Sequence, residues 1–327
     1  MPMRALIIDK PGKLDTLYVG ELPKPIPEDK EVRVRVQAVS LNPVDYKLAQ
    51  SGHPAWQYPF VLGLDVAGTI DAIGSGVNNW KVGDCVFYHG NLSRPGGFAE
   101  YTTTTAHVIA PIPENVSFIA AAAIPCAGLT AYQAIFRRLH VQAGQTLLVH
   151  GGAGGVGGYA VQLLTYAGAN VIATASEHNF GYVRGLGASH MIDYRHENIR
   201  ERVLEITKGR GVDAILDTVG LTSAGTDADM LAFGGGLVCI AGLPDFSHIS
   251  FDRAISIHKI RLGGVYSFGD QTAQADLAHM AQEMIALLAD GKIDPMVSQV
   301  ITLEAIPAGL AELAGRHVRG KIVAEIG

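Results

Sequence analysis

The segment that most constrains the fold of this chain is QTLLVHGGAGGVGGYAVQLLTYAGANVIATAS, residues 145 to 176. It reads in unbroken order as a strand, a glycine-rich turn, a helix and a second strand. Gly152, Gly154 and Gly157 give the spacing G-x-G-x-x-G directly after the apolar run of residues 146–150. The predicted helix has an apolar face, formed by Val156, Ala160, Leu163, Leu164 and Ala167.

Such a strand–turn–helix unit is typical of sites that bind the pyrophosphate of a dinucleotide. The glycines allow a tight turn, a close approach of backbone N–H groups to the phosphates, and close packing of the helix on the strand. The helix N-terminus adds partial positive charge. The alternative is an ordinary turn of a parallel sheet without a ligand. The complete context favours a dinucleotide site, whose further backbone contacts are Ala153, Gly155 and Val156.

Length and charge narrow the class of protein. A chain of 327 residues predicts about two domains. The 25 basic and 31 acidic side chains give a net charge of −6 without a basic cluster. We therefore expect neither nucleic acid nor a membrane surface as a partner. Cys85, Cys126 and Cys239 form no CxxC pair, which predicts reduced thiols and a cytoplasmic protein.

The N-terminus MPMRALIIDK becomes polar too soon for a signal peptide and predicts a first strand. Residues 118–136 are uncharged, but Pro125 and Gly128 interrupt them. We interpret them as a buried helix rather than a membrane span.

The chain changes its pattern near Ala120. Before it, β-type runs such as VRVRVQAV (32–39) and VAGTIDAIG (66–74) predict a mostly β domain. After it, helices alternate with strands, which predicts a doubly wound parallel sheet. The expected strands are LLVH, NVIATA, HMIDY, AILDTV, GLVCIAG and IRLGGVYS (260–267). A helix over 271–288 and a strand–helix–strand tail follow, and we expect the tail to pack on the N-terminal domain.

Five segments in this order resemble the zinc-independent quinone reductases of the medium-chain dehydrogenase/reductase superfamily. They are SLNPVDYKLAQSG (40–52), PFVLGLDVAGTIDAIGSGV (59–77), GDCVFYHGNLSRPGGFAEYT (83–102), PCAGLTAYQAI (125–135) with HGGAGGVG, and RGKIVAEI (319–326). The resemblance implies an α/β protein with a GroES-like mostly-β domain, residues 1–122 and 268–327. It implies a Rossmann domain that binds a nicotinamide dinucleotide, residues 123–267.

The zinc ligands of this superfamily are largely missing. A catalytic zinc ion needs three protein ligands. The resemblance puts the region 42–45 at the first ligand, and this region has no sulfur. Leu64 replaces the histidine, and only Cys126 falls at a ligand position. We expect no zinc, and we interpret Cys126 as a small buried residue. His53, His89 and His107 are interpreted as surface or hydrogen-bonded histidines.

The second strand of the dinucleotide unit ends at Ser176, and its first acid, Glu177, lies just beyond. NAD-binding proteins usually have an acid at the strand end that binds the ribose 2′-OH. Ser176, with His178, Asn179 and Arg184 nearby, offers donors to a 2′-phosphate. We therefore expect NADPH. The competing interpretation is that Glu177 turns inward and selects NADH.

The resemblance implies further cofactor contacts. Tyr194 has the alternative of an ordinary aromatic residue at a strand end, and Lys321 either reaches a phosphate or caps the last strand. The full set is Asn42, Thr130, Tyr194, Gly242, Leu243, Val265, Tyr266 and Lys321.

Hydride transfer without a metal requires other donors to the substrate oxygen. Quinones and α,β-unsaturated carbonyls are the expected small apolar substrates, because their soft electrophilic carbon needs little Lewis-acid help. Tyr46 and Lys47 lie on the segment that resembles the wall of the family's substrate cleft and are the candidate catalytic donors. The alternatives are a core role for Tyr46 and an ion pair of Lys47 with Asp45 or Asp65. Aromatic residues expected to line an apolar cleft are Trp56, Tyr58, Phe60, Tyr88 and Tyr266.

Two alternative functions stay open at this point: a zinc alcohol dehydrogenase and a non-catalytic NADPH-binding protein. We expect a homodimer, with the predicted strand at 260–267 as a candidate edge for pairing.

Overall fold

The computed structural model describes residues 1–220, 223, 226–243, 245–247 and 249–327. The chain forms two compact units. The first consists of Met1–Leu129, Leu262–Gly291 and Pro295–Gly327, and the second of Thr130–Arg261 and Lys292–Asp294. The domain limits expected from the sequence, 1–122 with 268–327 and 123–267, remain a prediction.

The strands are β1 Pro2–Ile8, β2 Tyr18–Pro23, β3 Glu31–Ser40, β4 Phe60–Val61, β5 Asp65–Ile73, β6 Cys85–His89, β7 Tyr101–Thr105, β8 Ala110–Pro111, β9 Thr146–Val149, β10 Asn170–Ala175, β11 His190–Asp193, β12 Val212–Asp217, β13 Leu231–Cys239, β14 Ser256–Lys259, β15 Val297–Thr302 and β16 Lys321–Glu325. The α-helices are α1 Pro43–Ser51, α2 Phe118–Ala122, α3 Pro125–Tyr132, α4 Gly155–Tyr166, α5 Phe180–Gly185, α6 Ile199–Ile206, α7 Gln271–Ala289 and α8 Ile306–Ala314.

Shorter helical turns complete the described secondary structure. Residues Gln133–Leu139 are π-helical. The 3-10 turns are Leu14–Thr16, Glu177–Asn179, Ala228–Met230, Phe251–Arg253, Leu262–Tyr266 and Leu303–Ala305.

The first unit is built on a seven-stranded sheet with the path β15-β16-β3-β5-β6-β8, and β7 pairs with β3. Strand β3 carries the alternating VRVRV pattern and places Val32, Val34 and Val36 in the core. The tail strand β16 pairs antiparallel with β3, with Val323 opposite Ser40. The prediction that the tail packs on the N-terminal β region is therefore confirmed.

The second unit is a six-stranded parallel sheet in the order β11-β10-β9-β12-β13-β14. This is the doubly wound dinucleotide-binding order, with its reversal between β9 and β12. The predicted α/β fold class is confirmed. The apolar core of this sheet includes Leu148, Ile172, Ile215 and Leu237.

Two predicted elements are wrong in detail. The sixth strand of the parallel sheet is β14 at Ser256–Lys259, whereas the predicted strand at 260–267 contains the 3-10 turn Leu262–Tyr266. The predicted edge strand at 260–267 is therefore wrong, and β14 is instead an edge strand of the parallel sheet. The predicted helix over 118–136 is divided into α2, α3 and the π-helical turns, because Pro125 begins a new helix. Among the described residues, no helix is sufficiently long and apolar to span a membrane.

Candidate functional site

The glycine-rich turn follows β9 at the point where the strand order reverses. Gly151 has a φ of 71°, in the left-handed region that favours glycine. Gly154 is the N-cap of α4. A Cβ atom at Gly157 would lie 2.1 Å from the carbonyl oxygen of Gly151, so the close packing of helix and turn requires glycine there. The turn and the helix N-terminus therefore present backbone N–H groups at the position typical of a bound pyrophosphate.

The end of β10 carries the residues predicted to recognise the ribose. Ser176 is buried, whereas Glu177 and His178 are exposed. The Oγ atom of Ser176 lies 3.3 Å from Nε2 of His178 and accepts a hydrogen bond of 3.2 Å from Nδ2 of Asn179. The structure thus brings these three predicted contacts into one hydrogen-bonded cluster.

The remaining predicted contacts of the second unit lie on other elements. Thr130 is buried in α3, with 5% of its surface exposed. Tyr194 is half-exposed just after β11, and the Arg195 guanidinium lies 5.7 Å from its ring centroid. Gly242 and Leu243 follow β13. Their roles as cofactor contacts remain predictions.

The first unit contains a buried polar cluster around Asn42, the residue before α1. The Nζ atom of Lys321 donates to Oδ1 of Asn42 at 2.7 Å, and Nδ2 of Asn42 donates to Oδ2 of Asp65 at 2.8 Å. Lys321 Nζ lies 3.7 Å from the same Asp65 oxygen. Asp45 accepts the backbone N–H of Asn42 at 2.8 Å, which caps the helix. We call Asn42, Asp45, Asp65 and Lys321 the buried polar cluster.

Two carboxyl groups share one ammonium group in this cluster. Burial raises the pKa of Asp45 to about 8, and hydrogen bonds from the backbone of Asn42 and Gly63 only partly oppose that effect. Burial also raises the pKa of Asp65 to about 6, against the lowering effect of Lys321 and Asn42. Because a second carboxylate charge is costly in this interior, the cluster retains a proton on Asp45 near neutral pH.

Three possible metal ligands lie beside this cluster. Asp65, His89 and Cys126 each offer a donor atom, and these atoms lie within 4.8 Å of one another. Burial lowers the pKa of His89 to about 4, so its imidazole is neutral. Within the part of the chain that the structure describes, Nδ1 of His89 is buried without a hydrogen-bond partner. His89 is therefore buried, and of its two predicted alternatives the surface position is wrong.

This donor set does not fit a catalytic zinc ion. Both oxygens of Asp65 are engaged, because Oδ1 accepts the backbone N–H of Cys126 at 2.8 Å and Oδ2 accepts from Asn42. Burial raises the pKa of the Cys126 thiol, and the Asp65 charge raises it further, which disfavours the thiolate that a zinc ion binds. The nearby ammonium of Lys321 repels a divalent cation. The positive charge that zinc would bring is already supplied by a lysine.

The predicted catalytic donors differ in accessibility. Tyr46 is 8% exposed and belongs to the apolar core of the first unit. Lys47 is exposed to solvent. The cation near Asp65 is Lys321, so the alternative of an ion pair between Lys47 and Asp65 is wrong.

The aromatic residues predicted to line a cleft make contacts within the first unit. Trp56 stacks on Phe60 with ring centroids 4.3 Å apart, and the Trp56–Tyr58 pair meets edge to face at 6.4 Å. Tyr266, in the turn with Val265, donates from its hydroxyl to the carbonyl oxygen of His89 at 2.5 Å. Tyr88 is buried within the core.

Sequence reasoning missed the buried polar cluster as a unit. The sequence predicts Asn42 and Lys321 as unconnected cofactor contacts, and Asp65 as a possible ion-pair partner of Lys47. The available signal was a set of charged or amide residues within otherwise apolar β segments, such as Asp65 in VLGLDVAG. Such a residue must be buried and paired.

Comparisons with known proteins agree with this architecture. The family model Alcohol dehydrogenase GroES-like domain matches residues 28–114, and the family model Zinc-binding dehydrogenase matches residues 186–323. A quinone oxidoreductase from Pseudomonas aeruginosa is 32% identical over 306 residues, which cover 91% of this chain and 91% of that protein. The solved structure of the quinone oxidoreductase from Coxiella burnetii has a TM-score of 0.87 at 29% identity and covers 100% of both chains.

A dehydrogenase from Aspergillus niger, azaJ, is 36% identical over 229 residues, or 64% of this chain. The match spans 66% of the length of that relative. The chain belongs to the medium-chain dehydrogenase/reductase superfamily of oxidoreductases, in its quinone oxidoreductase-like branch. Its parallel sheet is the nicotinamide-dinucleotide-binding fold of that superfamily.

Proposed function

We propose that the protein is a metal-free, NADPH-dependent reductase that transfers a hydride to a quinone or an α,β-unsaturated carbonyl compound. The main support for a metal-free mechanism is the position of Lys321. Its ammonium group lies 3.7 Å from Asp65, which is one of the three possible metal ligands. The quinone-type substrate is supported by the names of the Pseudomonas aeruginosa and Coxiella burnetii relatives.

The preference for NADPH is supported by the cluster at the end of β10. A ribose 2′-phosphate has oxygens that accept hydrogen bonds, and Ser176, His178 and Asn179 offer a hydroxyl, an imidazole and an amide within one cluster. An NAD-type site would instead use a carboxylate on the ribose 2′-OH. Glu177 is the residue that would serve in that case.

The bound nicotinamide supplies the hydride, and the protein must accept the charge that develops on the substrate oxygen. Lys47 is exposed and is the first candidate to donate a proton to that oxygen. Tyr46 is the second candidate, although its side chain is mostly enclosed by the core. With a quinone, the hydride gives the hydroquinone monoanion, and a single proton, donated by the side chain or by water, completes the hydroquinone.

The function is tested by the oxidation of NADPH and NADH with a benzoquinone, an enone, an aldehyde and a simple ketone, each with and without a chelator. We expect turnover of the first two acceptors with NADPH and no effect of the chelator. Loss of activity with the chelator would support a zinc alcohol dehydrogenase. Tight NADPH binding without turnover of any acceptor would support a non-catalytic NADPH-binding protein.

Cofactor choice is tested by Ser176→Ala. Loss of one hydrogen bond to a charged phosphate weakens binding by about 1.5 kcal/mol, or roughly tenfold. We expect kcat/KM for NADPH to fall by that factor, while kcat/KM for NADH is unchanged. The exposed Ser189, which lies just before β11, gives the matched control Ser189→Ala. Equal losses with both cofactors would contradict the proposed phosphate contact.

The homodimer and the cytoplasmic location remain predictions.

A further inference from the structure

Thr174, the residue before the last in β10, binds the glycine turn through two of its atoms. Its Oγ1 atom accepts the backbone N–H of Gly151 at 3.0 Å. Its carbonyl oxygen accepts the backbone N–H of Gly152 at 2.9 Å. The first two amides of the turn are therefore held by a single residue of the neighbouring strand, and its side chain is buried.

The hydroxyl of Thr174 is oriented by two further buried side chains. Nδ1 of His150 lies 3.3 Å from Oγ1 of Thr174, and Nε2 of His150 lies 2.9 Å from Oδ1 of Asp227. The side chains of His150 and Asp227 are 2% and 1% exposed. The backbone of His150 is fixed as well, because its N–H donates to Leu216 and its carbonyl accepts from the hydroxyl of Thr218.

With Asp227 ionised, the positions of the protons follow from its carboxylate, which can only accept. Nε2 of His150 then carries the proton that points to Oδ1 of Asp227. Nδ1 of the neutral imidazole accepts from the Thr174 hydroxyl, whose oxygen accepts the Gly151 N–H. We assign this tautomer from the hydrogen-bond network. Asp227 thus fixes the imidazole, and the imidazole fixes the hydroxyl.

We propose that Thr174, oriented by His150 and Asp227, is a positioning residue that joins the pyrophosphate-binding turn to the strand end that recognises the ribose. Ser176 lies two residues further along the same chain segment. The inference rests on the proposed binding of a dinucleotide. In this inference, Thr174 preorganises the glycine turn before the cofactor binds. Gly151 is in the left-handed conformation and has no side chain that could hold the turn in place.

The expected effect of removing the Thr174 hydroxyl differs from that of removing a residue that only stabilises the fold. Without the hydroxyl, the Gly151 amide loses its acceptor, and a bound cofactor must order the turn at the expense of its own affinity. The effect is shared by NADPH and NADH, because both carry the same pyrophosphate. Once the cofactor is bound, the turn is ordered, so turnover at saturating cofactor is preserved.

The test compares Thr174→Val, which removes the hydroxyl, with Thr174→Ser, which keeps it. For Thr174→Val we expect Kd and KM of both cofactors to rise about tenfold, the equivalent of one hydrogen bond, with kcat unchanged. Thr174→Ser should restore both constants to within about twofold of the wild type. Thr165→Val is the matched control, because the hydroxyl of Thr165 bonds within α4 to Val161 and to Gly187, away from the turn.

The possible failures are distinguishable. A wild-type protein that binds neither NADPH nor NADH would overturn the proposed function and this inference together. Wild-type binding with an unchanged Kd in Thr174→Val would overturn the role of Thr174 alone. A Thr174→Ser variant as weak as Thr174→Val would indicate a packing effect and would also overturn it. Thr174→Ala replaces Thr174→Val if the valine variant does not fold, and the same Kd criterion applies.

Discussion

Replacement of Lys321 by methionine should destabilise the first unit, and more so at high pH. The substitution removes the ammonium group that lies 3.7 Å from Asp65 and keeps most of the apolar volume. At an effective dielectric constant of about 20, a pair of unit charges at that distance interacts by about 4 kcal/mol. Breaking a buried ion pair by removing one partner typically costs about 3–5 kcal/mol, which agrees.

The pH dependence follows from the proton on Asp65. Burial raises its pKa to about 6 even with Lys321 in place, and removal of the lysine raises it further. The native variant therefore binds a proton that the unfolded chain, with an ordinary carboxyl pKa of 3.8, has released. Stability is lost as pH rises through the folded pKa. We expect a loss of about 4 kcal/mol at pH 8 and about 1 kcal/mol at pH 5, where Asp65 is protonated in both proteins.

Urea unfolding, monitored by tryptophan fluorescence, measures the lost free energy of unfolding in the first unit. Trp56 and Trp80 are the two tryptophans of the chain, and both lie in the first unit. The double variant Lys321→Met with Asp65→Asn removes both charges and should recover most of the lost stability. The exposed Lys10 provides the control Lys10→Met. Equal losses at pH 5 and pH 8, or no recovery in the double variant, would refute the electrostatic explanation.

Two further predictions concern Asp45 and Gly157. Because the pKa of Asp45 is raised from 3.8 to about 8, its charge opposes folding as pH rises from about 4 to 8. Asp45→Asn should therefore raise the free energy of unfolding at pH 7 relative to pH 4 by about 4 kcal/mol, compared with the wild type. A urea series in which the variant keeps the wild-type dependence on pH would contradict this. Gly157→Ala places a Cβ atom 2.1 Å from the Gly151 carbonyl oxygen, so it should abolish NADPH binding and lower Tm. The control is Gly181→Ala, whose Cβ atom meets nothing within 4 Å. This control should leave NADPH binding intact and leave Tm unchanged or slightly raised. Normal NADPH titration of Gly157→Ala would show that the turn adapts.

Regular hydrophobic patterns predicted most of the fold. The alternation in β3 and the glycine spacing after β9 depend on local geometry, so the sequence is sufficient to locate them. Strand β14 was misplaced because SIHK is a polar segment at the edge of the sheet, where little apolar surface must be covered. The nearby run IRLGGVYS has the apolar residues of a strand but forms a 3-10 turn.

The candidate site was predictable only where its residues are neighbours in sequence. Ser176, His178 and Asn179 lie on one turn and were found together. Lys321 contacts Asn42 across 279 positions, and the sheet alone brings them together. The contacts that link Asp227, His150 and Thr174 likewise join separate elements of the second unit, because Asp227 precedes the 3-10 turn Ala228–Met230, His150 follows β9 and Thr174 lies in β10. Such pairings follow from the order of strands, which hydrophobic periodicity does not specify.

The position of β16 in its sheet has a consequence for synthesis on the ribosome. Strand β3 receives β16 as a neighbour only after the whole of the second unit has been translated. At about 5–20 residues per second, the 279 positions between Asn42 and Lys321 take about 15 to 60 seconds. During that time residues 38–40 of β3 lack the partner strand β16 and Asp65 lacks its cation, whereas residues 130–261 form a nearly complete unit. We expect the nucleotide-binding sheet to fold first, and the nascent chain to need protection of the β3 edge until β16 emerges.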